Sequence, residues 1–109
     1  NLEKEIFINF DCLILPSYRE GLPRTVLEFS LLGIPSIVSD VPGCNSVIKN
    51  NYNGFICKPF STDDLILKIE KFINLSLKER IKMSYNSYKY VNNNYDEQII
   101  IREYLKLLK

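Results

Sequence analysis

Histidine is absent from this chain of 109 residues, and that removes several chemistries at once. No Ser-His-Asp or Cys-His nucleophile can be assembled from its own side chains, and no His-containing zinc site can either. Long apolar runs are missing too; none reaches the length that spans a bilayer. The N-terminus, Asn1-Leu2-Glu3-Lys4-Glu5, is not the basic-then-apolar segment of a signal peptide. Cysteines are few: Cys12, Cys44 and Cys57 are odd in number and widely spaced, which makes neither a disulfide framework nor a metal motif. A reduced, cytoplasmic setting is expected, with Cys12 acting as a small buried hydrophobe. Excess charge of either sign is also lacking. Fourteen Lys and Arg against thirteen Asp and Glu leave +1, and no basic patch is interleaved with aromatics, so nucleic acid is not an expected partner. Neither a Gly-x-Gly-x-x-Gly nor a Walker pattern occurs.

What remains is an ordinary globular balance, 46% hydrophobic and 25% charged. Residues 1–109 are expected to make one domain around one core. Ile6, Phe7 and Phe10 fit one face of a short helix. The run Cys12-Leu13-Ile14-Leu15, ended by Pro16, suits a strand covered on both faces of a parallel sheet. A helix is predicted from Pro23 to Leu32, because proline suits the first helical turn and Gly33 and Pro35 stop it. Ser36 to Ser39 is the next strand, completing a βαβ unit that should cross over right-handed. Asp40-Val41-Pro42-Gly43 reads as a turn, Asn45 to Lys49 as one or two helical turns, and Phe55 to Cys57 as a third strand.

The remainder is helical. Ser61 or Thr62 caps a helix whose Leu65, Ile69, Phe72 and Ile73 share a face. Asp63-Asp64 then reads as dipole matching at its start rather than a metal pair. Ser76-x-x-Glu79 is a capping box opening a helix with Leu77, Ile81, Tyr88 and Val91 at helical spacing. Asp96 caps a last helix with the stripe Ile100, Ile101, Tyr104, Leu105 and Leu108. The fold class is therefore α/β: a Rossmann-like half-domain, with a short parallel sheet of about three strands flanked by helices and C-terminal helices after it. An uncovered edge beside Cys12 to Leu15 would invite pairing with another chain, so a homodimer through that edge or through helices is expected.

One stretch concentrates the candidate chemistry. Glu20 stands in the loop above a helix start, and Glu28 lies between one and two turns down that helix. Gly21, without a Cβ, lets a ligand approach the backbone, and helix N-terminal N–H groups attract phosphate. Loop carboxylate, amides and helix carboxylate would suit a sugar, its diphosphate and a ribose in sequence. Each has a plainer reading as well: a solvated acid beside Arg19, a well-made helix cap, and an Arg24–Glu28 surface pair, with Arg24 able to cover Glu28 when no ligand is bound.

The surrounding residues make this specific. Pro16-Ser17-Tyr18-Arg19-Glu20-Gly21-Leu22-Pro23, Leu27-Glu28, Gly33-Ile34-Pro35-Ser36-Ile37-Val38-Ser39-Asp40, Val41-Pro42-Gly43-Cys44 and Asn53-Gly54-Phe55 together resemble the donor half of family 4 (group 1) glycosyltransferases, retaining enzymes of GT-B fold. The resemblance runs from about Asp11 to Leu65 and more loosely beyond. It implies that residues 1–109 are part of the C-terminal, nucleotide-sugar-binding domain. It further implies hexosyl transfer from a nucleotide-diphosphate sugar, UDP being the commonest nucleotide, to a hydroxyl acceptor, with retention and no metal or other cofactor.

Under the resemblance Glu20 is the catalytic-site residue that binds the donor sugar. Gly21, Leu22, Pro23, Arg24 and Thr25 hold sugar and diphosphate, and Glu28 binds the ribose hydroxyls. The Asp40-Pro42-Gly43 loop supports them. Asn45 and Ser46 stand where an Arg-Glu pair is expected, which removes any charge interaction that pair supplies. The acceptor, a saccharide or a lipid-linked one, would meet an N-terminal domain not included in this chain, so the chain alone should be inactive or nearly so. Val41-Pro42-Gly43-Cys44 points to capsular, exopolysaccharide or lipopolysaccharide synthesis, in the cytoplasm or at the inner membrane. The alternatives are a non-catalytic nucleotide-sugar-binding or oligomerisation module, or a GT-B epimerase.

Overall fold

The computed structural model describes residues 12–15, 24–95, 98, 102 and 105. The predicted Ile6–Phe10 helix, Glu20 to Pro23, Asp96 and most of the last apolar stripe lie outside them. The order is β1 (Leu13–Leu15), α1 (Arg24–Leu31), β2 (Ser36–Ser39), α2 (Cys44–Val47), β3 (Gly54–Cys57), α3 (Thr62–Ile73) and α4 (Leu77–Asn94). The strands form one three-stranded sheet in the order β1-β2-β3. Both pairings are parallel, Leu13 opposite Ser36 and Ser36 opposite Gly54.

Alternation along the strands divides the core in two. On one face Val38 packs with Val26 and Leu27 of α1, Val41, Cys44, Val47 and Ile48 around α2, and Val91 of α4. On the other, Ile37 and Phe55 pack with Phe72 of α3 and Met83 of α4, with Cys12, Leu65 and Ile69 at the margin. The sheet therefore lies between helices. Only β2 is buried along its whole length. β1 departs from the expectation of cover on both faces, since Ile14 is exposed; among the described residues, α3 lies over β3 and β2.

Helix ends follow local chemistry. At the end of α1, Gly33 adopts φ +78°, its N–H donates to Ser30 carbonyl and the N–H of Ile34 to Phe29 carbonyl, both at 2.9 Å. This is the Schellman arrangement that a glycine at that position allows. Ser61, rather than Thr62, caps α3, accepting from the Asp64 N–H at 3.1 Å. The Asp64 carboxylate also accepts the Lys58 N–H at 2.7 Å. The capping box of α4 is formed in both directions, Ser76 Oγ with Glu79 N–H at 3.1 Å and Glu79 Oε1 with Ser76 N–H at 2.8 Å.

Two helix faces differ from the apolar periodicity. Ile73 is exposed at the end of α3. On α4, Leu77, Ile81 and Tyr88 are exposed, and Met83, Ser87 and Val91 face inward. The reason is a polar seam. Ser84 Oγ donates to the Gly33 carbonyl and Ser87 Oγ donates to the Ile34 carbonyl at 3.3 Å. Small hydroxyl side chains let α4 close onto the end of α1, and the larger apolar residues turn outward.

Candidate functional site

The chain leaves α1 and enters β2 within the short turn at Gly33–Pro35, so α1 runs opposite to the strands. Its first residue, Arg24, therefore lies towards the edge where the parallel strands end, which is where open α/β sheets bind ligands. Val26, Leu27, Phe29 and Ser30 are buried. Arg24 and Glu28 are half-buried and Thr25 is exposed, so the three called residues sit on the face turned from the core. Glu28 is one turn below Arg24, about 6 Å along the axis at the standard helical rise. The Arg24–Glu28 ion pair that the spacing allows is not among the ion pairs of the described residues, where Lys68–Asp64 at 3.9 Å is found. Glu20, Gly21, Leu22 and Pro23 lie outside the described residues.

The neighbouring strand exit is built by contacts that the sequence reading missed. Asp40, the residue after β2, donates its N–H to the Cys57 carbonyl at 2.8 Å, tying the exits of β2 and β3 together. Its Oδ1 accepts from Asn45 Nδ2 at 3.0 Å. Where an Arg-Glu pair was expected, an amide–carboxylate tie thus closes the loop. The loop is held from outside as well, because the Ser46 carbonyl accepts from Tyr90 and Tyr95 hydroxyls at 3.3 and 3.2 Å. Burial raises the Tyr95 phenol above its ordinary pKa. No local sequence pattern marks these tyrosines, which lie more than forty residues from their acceptor.

At the exits of β2 and β3 a cavity of about 270 Å³ is lined by Ser39, Cys57, Lys58, Phe60 and Thr62, among others. Burial pushes the Cys57 thiol up, away from the thiolate a nucleophile needs. A larger space of about 610 Å³, lined by Asn51, Phe55, Asn74 and Met83 among others, is at the opposite end of the sheet, away from the start of α1. Among the described residues no three Cys, Asp or Glu side chains gather as a metal site, and no described helix is long and apolar enough to cross a membrane.

A parallel α/β/α half-domain with a helix starting at the strand-exit edge is a Rossmann-like unit. Residues 3–90 match the family model described as glycosyl transferases group 1; the chain belongs to that family. It is 39% identical over 103 residues to the N,N'-diacetylbacillosaminyl-diphospho-undecaprenol alpha-1,3-N-acetylgalactosaminyltransferase of Campylobacter jejuni, a match covering 94% of this chain and 27% of that protein. The chain thus spans about a quarter of that relative's length. Its fold is similar to a glycosyltransferase from Rickettsia africae, with a TM-score of 0.80 and 24% identity over 94% of this chain and 27% of that one. It is also similar to Anabaena HepE in complex with UDP, with a TM-score of 0.79 and 19% identity over 95% of this chain and 29% of the other. These likenesses establish the GT-B half-domain fold.

Proposed function

We propose that this chain forms the donor-binding part of a retaining glycosyltransferase that moves a hexosyl unit from a UDP-sugar to a hydroxyl acceptor in bacterial surface-polysaccharide synthesis. The observation that carries the reading is the outward face of α1 at the strand-exit edge, with Glu28 one turn below the helix start in a chain of this family. An ionised carboxylate can accept from both vicinal hydroxyls of a ribose, which orients the nucleotide as well as binding it. Glu20 accepts from the sugar hydroxyls, and the backbone from Gly21 to Thr25 holds the diphosphate.

Departure of the nucleotide diphosphate builds charge on its β-phosphate, and preorganised N–H donors at a helix start stabilise it. That contribution is modest, about 0.3–2 kcal/mol for a helix terminus, so cationic side chains from elsewhere in the enzyme complete the site. The transfer uses no resident metal. The C. jejuni relative's name specifies a diphospho-undecaprenol-linked acceptor, and a lipid-linked acceptor held by a separate domain is the corresponding proposal here. On this reading the isolated chain binds donor without turning it over.

Calorimetric titration with UDP and with 2′,3′-dideoxy-UDP tests the assignment. Hydrogen bonds to a charged group contribute about 1.5–3 kcal/mol, so Glu28→Gln should weaken UDP binding by about 10- to 100-fold. The dideoxy nucleotide should be nearly unaffected. An equal loss for both nucleotides, or for neither, would refute the ribose role.

A further inference from the structure

The outer face of α4 carries a surface that the donor site does not use. Leu77, Ile81, Tyr85 and Tyr88 are 75%, 60%, 58% and 43% exposed. Their spacing of four, four and three residues aligns them in one stripe along the helix. Directly beside it, around the same outward arc, stand Lys78, Lys82 and Lys89, all exposed. Lys89 Nζ lies 5.7 Å from the centroid of the Tyr85 ring, so the basic row and the apolar stripe touch.

The other charges on this helix are committed elsewhere. Glu79, the one acid within α4, is turned back onto the Ser76 N–H. Arg80 lies over the Phe72 ring at 4.8 Å and donates to the Ile73 carbonyl at 2.8 Å. The arc therefore presents four apolar or aromatic side chains and three ammonium groups, with no carboxylate among them.

We propose that this face of α4 docks the protein onto an anionic lipid surface, with Leu77, Ile81 and the two tyrosines entering the headgroup boundary and the lysines meeting lipid phosphates. Charge complementarity selects this occupant. A second copy packed stripe to stripe would bring one basic row beside another and be repelled. A neutral apolar partner would leave the lysines without a counter-charge. A bilayer interface accepts tyrosine rings, aliphatic tips and lysines together, and long lysine stems can lie along the apolar stripe with their ammonium groups in the headgroup layer. The inference rests on α4 alone and does not depend on the proposed transfer.

Flotation of the whole chain with vesicles provides the test, using phosphatidylcholine alone and phosphatidylcholine mixed with phosphatidylglycerol. Binding is expected to the mixed vesicles, weakening as salt screens the headgroups. The triple variant Lys78→Glu, Lys82→Glu, Lys89→Glu should bind at least about tenfold more weakly, given the contribution each lysine makes near an anionic surface. The pair Ile81→Asp, Tyr85→Asp should also lose binding at low salt. These positions are exposed, so circular dichroism should show both variants folded. Several results would overturn the proposal: no binding to the mixed vesicles, equal binding to neutral ones, or wild-type binding by either folded variant. So would capture by polyglutamate with no binding to vesicles, which would indicate an acidic protein partner. A concentration-dependent dimer in light scattering that the variants abolish would assign the face to a second copy.

Discussion

Gly54 offers the sharpest test of the packing argument. It opens β3 opposite Ser36 at the start of the buried strand β2. A Cβ placed on it would stand 2.1 Å from the Ser36 carbonyl oxygen and 3.1 Å from Ile48 Cγ2. Neither neighbour can yield easily, because the oxygen belongs to the central strand and Ile48 is fully buried. Asn53 fixes the other side. It is wholly buried, its Oδ1 accepts the Lys49 N–H at 2.6 Å, and its Nδ2 donates to the Val47 carbonyl at 3.0 Å.

Gly54→Ala must therefore part the strands by about 1 Å. Overpacking of this kind costs about 1–3 kcal/mol, and strained or lost ladder hydrogen bonds add about 1 kcal/mol each. A loss of about 3 kcal/mol is expected. At about 4–8 °C per kcal/mol for a domain near this size, the melting temperature should fall by some 12 °C or more. Thermal and urea unfolding followed by far-ultraviolet circular dichroism would measure it. A shift of less than about 2 °C with an unchanged m-value would show that the β2–β3 register is not closed here and would refute the reasoning.

Two further outcomes follow from the α4 contacts. Ser84→Ala removes the donor to the Gly33 carbonyl and should destabilise by about 1 kcal/mol, read from the urea midpoint; no change would mean that the α1–α4 seam does not depend on this bond. The Ser76 hydrogen bonds hold the Glu79 carboxyl below its ordinary pKa, so the folded chain binds that proton less readily than the unfolded one. Its contribution is present above the unfolded carboxylate pKa and disappears as pH falls through the folded value. Glu79→Gln should therefore flatten the acid limb of stability against pH, and an unaltered limb would remove Glu79 from the account.

Strand β2 was legible to the residue, because an apolar pair between a Gly-Ile-Pro stop and an Asp-Val-Pro-Gly turn leaves little choice. The end of α1 was equally clear, Gly33 supplying the left-handed residue that ends it. The outer face of α4 was misread because periodicity weighs leucine, isoleucine and tyrosine above serine. What decided the face was close approach to the Gly33 and Ile34 carbonyls, a tertiary fact with no local signal. The turn at Phe60 hides similarly; nothing in Lys58-Pro59-Phe60 announces a φ of +59°. In the candidate site, the motif put Arg24 and Thr25 at a helix start and Glu28 one to two turns down it, and the structure adds that all three are on the face of α1 turned from the core. The Asp40–Asn45 tie was missed because the reading compared Asn45 with an absent charge rather than asking which acceptor its amide could reach.

The all-parallel order β1-β2-β3 also acts as a ruler. Adjacent strands lie about 4.8 Å apart, so the exits of β1, β2 and β3 are set in a row with the third about 10 Å from the first. A ligand seated where β1 hands over to α1 can touch the β2 exit but not the β3 exit without extending sideways. A substitution in the Lys58–Ser61 loop lies one strand spacing further from a ligand held by α1 than one around Asp40, and reaches it through the Asp40–Cys57 hydrogen bond. The fold thus grades its own loops by mutational freedom, one strand spacing at a time.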